Sequence, residues 1–170
     1  MDLIPSFSVD HSRLLPGVYI SRTDILNGSK ITTYDIRMKK PNIEPCVDVA
    51  AMHTLEHIIA TYLRNNAQWK DSIIYWGPMG CLTGFYLIIK DQQPCEVIGK
   101  LMIEAFEYAA NFNEKVPGTD AVNCGNYLMH NIHYARYEAA KYAEILKTSP
   151  CYEYPKAERL DTEKGKFFDS

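Results

Sequence analysis

The chain has 170 residues, 46% hydrophobic and 23% charged, with a formal net charge of −3 at pH 7. That length suits one domain with a substantial core, and the near-balanced charge gives no footprint for nucleic acid or an anionic membrane. No run approaches the ~20 apolar residues of a membrane span, and the five cysteines follow no disulfide framework, so reduced thiols in the cytoplasm are expected.

The first residues carry Asp2 where a secretory leader needs basic residues, and no apolar stretch follows. Residues 1–16 read as irregular, with Asp10-His11-Ser12-Arg13 as a polar cluster. Val18-Tyr19-Ile20 reads as a strand and Ile31 to Met38 as a second. Along the second, Thr32, Tyr34, Ile36 and Met38 alternate with Thr33, Asp35, Arg37 and Lys39, a half-buried pattern. Asn27-Gly28 between them signals a tight antiparallel turn. Pro41-Asn42 and Pro45 break the chain before a stretch in which Val49, Met52, Leu55, Ile59 and Tyr62 recur at helical spacing. That helix should end near Asn65-Asn66.

Ser72 to Trp76 reads as a third strand, running through Gly77–Gly84 into a fourth, Phe85 to Ile89. A helix is expected from Cys95 to Phe112, a loop at Pro117–Asp120, and a long helix after Cys124-Gly125-Asn126. The apolar stripe of that last helix would be Leu128, Ile132, Ala135, Ala139, Tyr142 and Leu146. The charged tail past Pro150 is expected to be loosely held. Paired strands with helices between and after them predict an α+β fold: a single domain over 1–170, an antiparallel sheet with helices packed on one face.

The chemistry centres on His53-Thr54-Leu55-Glu56-His57. On a helix, residues four apart stand one above the other, so His53 and His57 can grip one metal ion with Glu56 beside them to move protons. A catalytic metal needs a third protein ligand and an open position. Cys124, in a glycine-containing turn expected at the mouth of a helix, is the leading candidate, with His130 and His133 as competitors. Cys81 lies between glycines just before a strand, a way of presenting a side chain into a cleft.

His53-Thr54-Leu55-Glu56-His57, Pro78-Met79-Gly80-Cys81-x-Thr83-Gly84-Phe85-Tyr86 and Cys124-Gly125 together resemble the S-ribosylhomocysteine lyase family, LuxS. The likeness runs from Ser6-Phe7-x-Val9-Asp10-His11 through Tyr34-Asp35-Ile36-Arg37 and Pro41-Asn42 to the last helix. It implies a lyase that splits S-ribosylhomocysteine into homocysteine and dihydroxypentanedione, an autoinducer precursor, by two carbonyl shifts and an elimination. By the same resemblance His53, His57 and Cys124 bind one divalent metal per subunit, Fe(II) natively with zinc or cobalt as substitutes. Glu56 and Cys81 would be the acid/base pair, and Ser6, His11, Arg37, Arg64 and Gly125 would bind substrate. The family is a homodimer with active sites at the interface, Ser6 and His11 reaching in from the partner.

Two departures bear on substrate binding. Tyr75-Trp76-Gly77 stands where the family commonly has Asp-Ile-Ser, and Leu82 where a polar or basic residue is usual. Tyr75 offers no carboxylate to the substrate's ammonium, so that contact must change or move. Two rival readings share the histidine pair: an inverzincin-type metallopeptidase, whose third ligand would be a Glu, and a non-catalytic metal-binding module closed by four ligands.

Overall fold

The computed structural model describes residues 9–155. Four strands, β1 (Gly17–Leu26), β2 (Ser29–Arg37), β3 (Ile73–Pro78) and β4 (Gly84–Lys90), form one antiparallel sheet in the order β1-β2-β4-β3. Among the described residues three helices accompany it: α1 (Val49–Asn65), α2 (Cys95–Ala110) and α3 (Ile132–Thr148). The expected α+β architecture is therefore observed. No helix of the described residues is long and apolar enough to cross a membrane.

The β1–β2 hairpin turns at Asn27-Gly28, both residues with positive φ (50° and 82°). That backbone matches the twist of paired strands and is one that Asn and Gly enter most cheaply. β1 runs six residues past Ile20 because β2 pairs with it to the end, although Ile25 and Leu26 stand exposed.

Register aligns the apolar face. Tyr34 lies opposite Leu87 and Ile36 opposite Phe85, while Val18 and Trp76 extend the same face on the outer strands. These side chains meet Leu55, Ile59, Ile98, Met102 and Phe106 from α1 and α2 in one core.

The other face differs from the half-buried pattern expected for β2: Asp35, Arg37 and Lys39 are all buried. Central strands are covered on both sides, and each charge here has a partner. Arg37 pairs with Asp35 at 2.6 Å, and Lys39 with Glu138 of α3 at 2.6 Å.

The last helix starts later than its apolar stripe implies. Leu128 is 80% exposed in a turn, and α3 begins at Ile132, where the Asn131 side chain accepts the Tyr134 N–H. Asp120 folds the preceding segment instead, its carboxylate accepting the N–H groups of Val122 and Asn123. Cys124 is therefore in a loop and not at a helix mouth. His130 and His133 do not share the helix either: His130 precedes it.

The tail is also firmer than expected as far as it is described. The Cys151 carbonyl accepts the Val18 N–H at 2.9 Å, and a Cβ on Gly17 would sit 2.2 Å from that oxygen, so only glycine admits the strap. Tyr154 stacks on Tyr19 with ring centroids 4.6 Å apart. Aromatic rings, absent from a purely charged tail, give this segment something to bury.

Candidate active site

Asp48 starts α1 by accepting the Ala51 N–H at 3.0 Å. His53 and His57 then fall one turn apart, facing the loop of residues 117–131. Each ring is set from behind by that loop: His53 Nδ1 donates to the Met129 carbonyl (2.9 Å) and His57 Nδ1 to the Pro117 carbonyl (2.7 Å). With the protons on Nδ1, both Nε2 atoms present lone pairs, and they lie 3.0 Å apart. Cys124 Sγ is 3.4 Å from His53 Nε2. Lone pairs converging at this distance repel unless a cation lies among them, so the donor set fits a divalent metal with nitrogen and sulfur ligands.

Four donors converge here, where the sequence argument counted three. His130 joins His53, His57 and Cys124, all four ligand atoms lying within 4.8 Å of one another, while His133 is exposed on α3. The His130 ring stacks on His53 at 4.2 Å. Its Nδ1 lies 3.1 Å from Thr54 Oγ1. The Thr54 hydroxyl gives its proton to the Ala50 carbonyl (2.7 Å), so toward His130 it accepts. His130 Nε2 is then a bare lone pair, buried and without a hydrogen-bond partner. Burial, then His53 and His57, push the His130 pKa down to about 4.

Two glycines shape the rest of this centre differently. Gly118 has φ +68°, and a Cβ there would come 3.4 Å from His57 Nδ1; Gly125 faces open space. Glu56 is half-buried, and among the described residues no hydrogen bond or ion pair engages its carboxylate. Arg64 stands in the last turn of α1, seven residues beyond His57 and so about 10 Å further along the axis. Its guanidinium donates to the Ile74 carbonyl at 3.2 Å.

A second cluster forms around Cys81, in the turn between β3 and β4. The turn is closed by Leu82 N–H to Met79 O (2.9 Å) and Met79 N–H to Gly84 O (2.9 Å). Leu82 takes a left-handed backbone (φ 57°), held by the Val47 N–H on its carbonyl and by its side chain against the core. Cys81 is exposed. Arg37 binds Asp35 through Nε (3.1 Å) and Nη2 (2.6 Å). Its Nη1 reaches Thr83 Oγ1 (2.5 Å) and faces Cys81 Sγ at 3.8 Å. Thr83 Oγ1 is 3.1 Å from Sγ. Burial alone would raise the Cys81 pKa, but the Thr83 hydroxyl and N–H and the Arg37 cation outweigh it, and the thiol titrates below its ordinary value.

His11 lines a cavity of about 340 Å³ with Pro41, Asn42, Cys46, Cys81 and Thr83. It therefore sits beside Cys81, and the thiol cluster shares no residue with the histidine cluster. Ser6 lies outside the described residues. Tyr75 is exposed, its ring lying over Gly77, where any side chain would collide with it. Sequence reasoning overlooked Thr54, Asp35 and Tyr154. Thr54 stood inside the histidine motif, but its hydroxyl partner His130 is 76 residues away.

Comparison with known proteins agrees with this geometry. A family model described as S-ribosylhomocysteinase (LuxS) matches residues 4–150. The S-ribosylhomocysteine lyase of Phocaeicola vulgatus is 53% identical over 148 residues, covering 86% of this chain and 92% of that protein. That of Porphyromonas gingivalis is 50% identical over 142 residues (84% and 89%), and that of Borreliella burgdorferi 49% over 146 (86% and 93%). With the metal-binding helix, the thiol turn and the matched length in agreement, the chain belongs to the S-ribosylhomocysteinase (LuxS) family.

Proposed function

We propose that this protein cleaves the thioether of S-ribosylhomocysteine, releasing homocysteine and dihydroxypentanedione, a precursor for autoinducer signalling. The observation that carries the reading is the pair of imidazole Nε2 lone pairs 3.0 Å apart beside a thiol, oriented by two backbone carbonyls. His53, His57 and Cys124 would hold one divalent metal per subunit, Fe(II) natively and Zn or Co as substitutes. Such an ion supplies Lewis acidity toward the sugar oxygens.

The proton chemistry belongs to the chain. The leaving sulfur sits on the fifth carbon of the ribose, so the carbonyl must move from the first carbon to the third before elimination. Each shift removes a proton from one carbon and delivers one to a neighbouring position. Glu56, with an unengaged carboxylate, is suited to take and return protons on one side of the sugar. Cys81, its thiolate favoured by Thr83 and Arg37, is suited to do so on the other. His11, Ser6, Arg37, Arg64 and Gly125 are the proposed substrate contacts.

Two copies of the chain would complete each site. His11 lines the same cavity as Cys81, so a partner that delivers His11 delivers Cys81 with it. Glu56 and the metal ligands then come from one subunit and the thiol from the other. A closed structural metal site would use the fourth donor, His130, but leaves the favoured Cys81 thiolate without a role.

The test is thiol release from S-ribosylhomocysteine by metal-loaded protein, using His11→Ala and Glu56→Ala alone and mixed. Each variant alone should be inactive, and a mixed dimer should regain one working site of its two. Absence of thiol release by wild-type protein would overturn the lyase reading. Absence of recovery after verified subunit mixing would overturn the shared site.

A further inference from the structure

Arg37 is aimed at Cys81 by contacts that begin outside the family match. The matched stretch ends at residue 150. Four residues later, Tyr154 lies on the sheet face opposite the core and donates its hydroxyl to Asp35 Oδ2 at 3.0 Å. The same oxygen accepts Arg37 Nη2 at 2.6 Å, and Asp35 Oδ1 accepts Arg37 Nε at 3.1 Å. With one edge of the guanidinium fixed by this fork, its remaining edge faces Thr83 Oγ1 and Cys81 Sγ. Because Arg37 donates to the Thr83 oxygen, the Thr83 proton is free to turn toward sulfur.

We infer that Tyr154 is a positioning residue for the Cys81 thiol, acting through Asp35 and Arg37. The inference rests on the proposed role of Cys81 as an acid/base group.

Two effects of the Tyr154 hydroxyl have the same sign. It occupies a lone pair of Asp35, which keeps the carboxylate from rotating and carrying Arg37 away from Thr83. It also draws off part of the Asp35 charge, which leaves more of the Arg37 cation to favour a thiolate. Burial and the Asp35 carboxylate both raise the Tyr154 pKa, so the phenol remains a donor across the working pH range. The ring is independently anchored: it stacks on Tyr19 with planes 8° apart. Removing the hydroxyl alone therefore need not release the strap. Among the described residues, the other ionisable groups facing this region include His11, Glu44 and Cys46 around the Cys81 cavity, Tyr86 beside Asp35 and Arg37, and the buried Tyr142, which feels the charges of both. Of these, Glu44 is taken up by Lys141 at 2.9 Å.

The experiment is Tyr154→Phe, with Tyr19→Phe as the control. The Tyr19 hydroxyl donates to the Leu15 carbonyl and does not touch Asp35, so its loss perturbs the same strap without the relay. The first readout is the pH dependence of iodoacetamide labelling at Cys81, resolved by peptide mass spectrometry, which needs no lyase activity. Tyr154→Phe should move the labelling midpoint upward by about half a unit, which is roughly threefold less thiolate below the midpoint. kcat should fall about threefold with KM little changed, and metal content should stay at the wild-type level. Tyr19→Phe should lower the melting temperature but leave the midpoint in place. An unmoved midpoint in Tyr154→Phe, or an equal shift in Tyr19→Phe, would overturn the inference. Should wild-type protein lack lyase turnover, the labelling midpoint still decides the relay.

Discussion

Thr54 is the buried residue inside the histidine motif, and replacing it with valine isolates one hydroxyl. That hydroxyl donates to the Ala50 carbonyl and accepts from His130 Nδ1 (3.1 Å) and the Asn131 N–H (3.0 Å). Valine preserves the shape. Asn131 N–H keeps a second acceptor, the Ala50 carbonyl at 3.3 Å, so only the His130 donor is orphaned. One buried unsatisfied donor costs about 1–3 kcal/mol, offset by roughly 0.8 kcal/mol for the added apolar group. The net loss, roughly 0.2–2 kcal/mol, corresponds to a melting point lower by up to roughly 8 °C for a chain of this size. The displaced segment also contains Met129, whose carbonyl orients His53. Loss of such outer support weakens metal binding by about tenfold or more. Chelator competition with Zn(II) or Co(II), alongside thermal melting, measures both. Thr54→Ser retains the hydroxyl and should hold metal like wild type. Wild-type metal affinity in Thr54→Val, or equal loss in Thr54→Ser, would refute the argument.

Three other outcomes are expected. Cys124→Ala should lose most bound metal and all turnover, because it removes the thiolate, the one anionic donor among the four that converge; full metal content, measured by plasma emission, would make His130 the third ligand. Glu138→Ala should destabilise the protein by about 3–5 kcal/mol in urea titration, since it leaves the Lys39 ammonium buried without its partner; unchanged stability would mean that Lys39 escapes to solvent. A thiol reagent at pH 7 should label Cys81 ahead of Cys46, Cys95 and Cys151 and stop turnover without releasing metal, and faster labelling of Cys46 would count against the Cys81 assignment. The sign follows from the fold: a lowered Cys81 pKa means that the folded protein favours the thiolate more than the unfolded chain does. Its contribution to stability is complete above the ordinary thiol pKa and fades as pH falls through the lowered value.

What the sequence made legible was local. The Asn27-Gly28 turn, the spacing of His53 and His57 and the break before α1 all depend on neighbours within a few positions. The misjudged features depend on distant ones. Arg37 reads as one polar residue on the open side of a half-buried strand until Thr83, 46 residues on, binds it and Tyr154 binds its partner Asp35. Lys39 finds Glu138 across 99 residues. The start of α3 was missed for a different reason. Leu128 fits the helical period, but the capping residue Asn131 and the Asp120 turn overrule periodicity. That error moved His130 onto a helix, so that it ranked as a competitor of Cys124 where the structure sets the two side by side.

The loop of residues 117–131 has a consequence for how the protein ages in the cell. It supplies Cys124, His130 and the carbonyls of Pro117 and Met129 to the metal centre. Its own apolar side chains hold little: Val122 is 93% exposed and Leu128 80%. An ion held by these donors would add a joint between the loop and α1 to the hydrogen bonds that His53, His57 and Thr54 already make with it. A demetallated molecule should offer residues 121–128 to proteases while the sheet and α2 stay intact, so that metal loss marks the chain for turnover at a single loop.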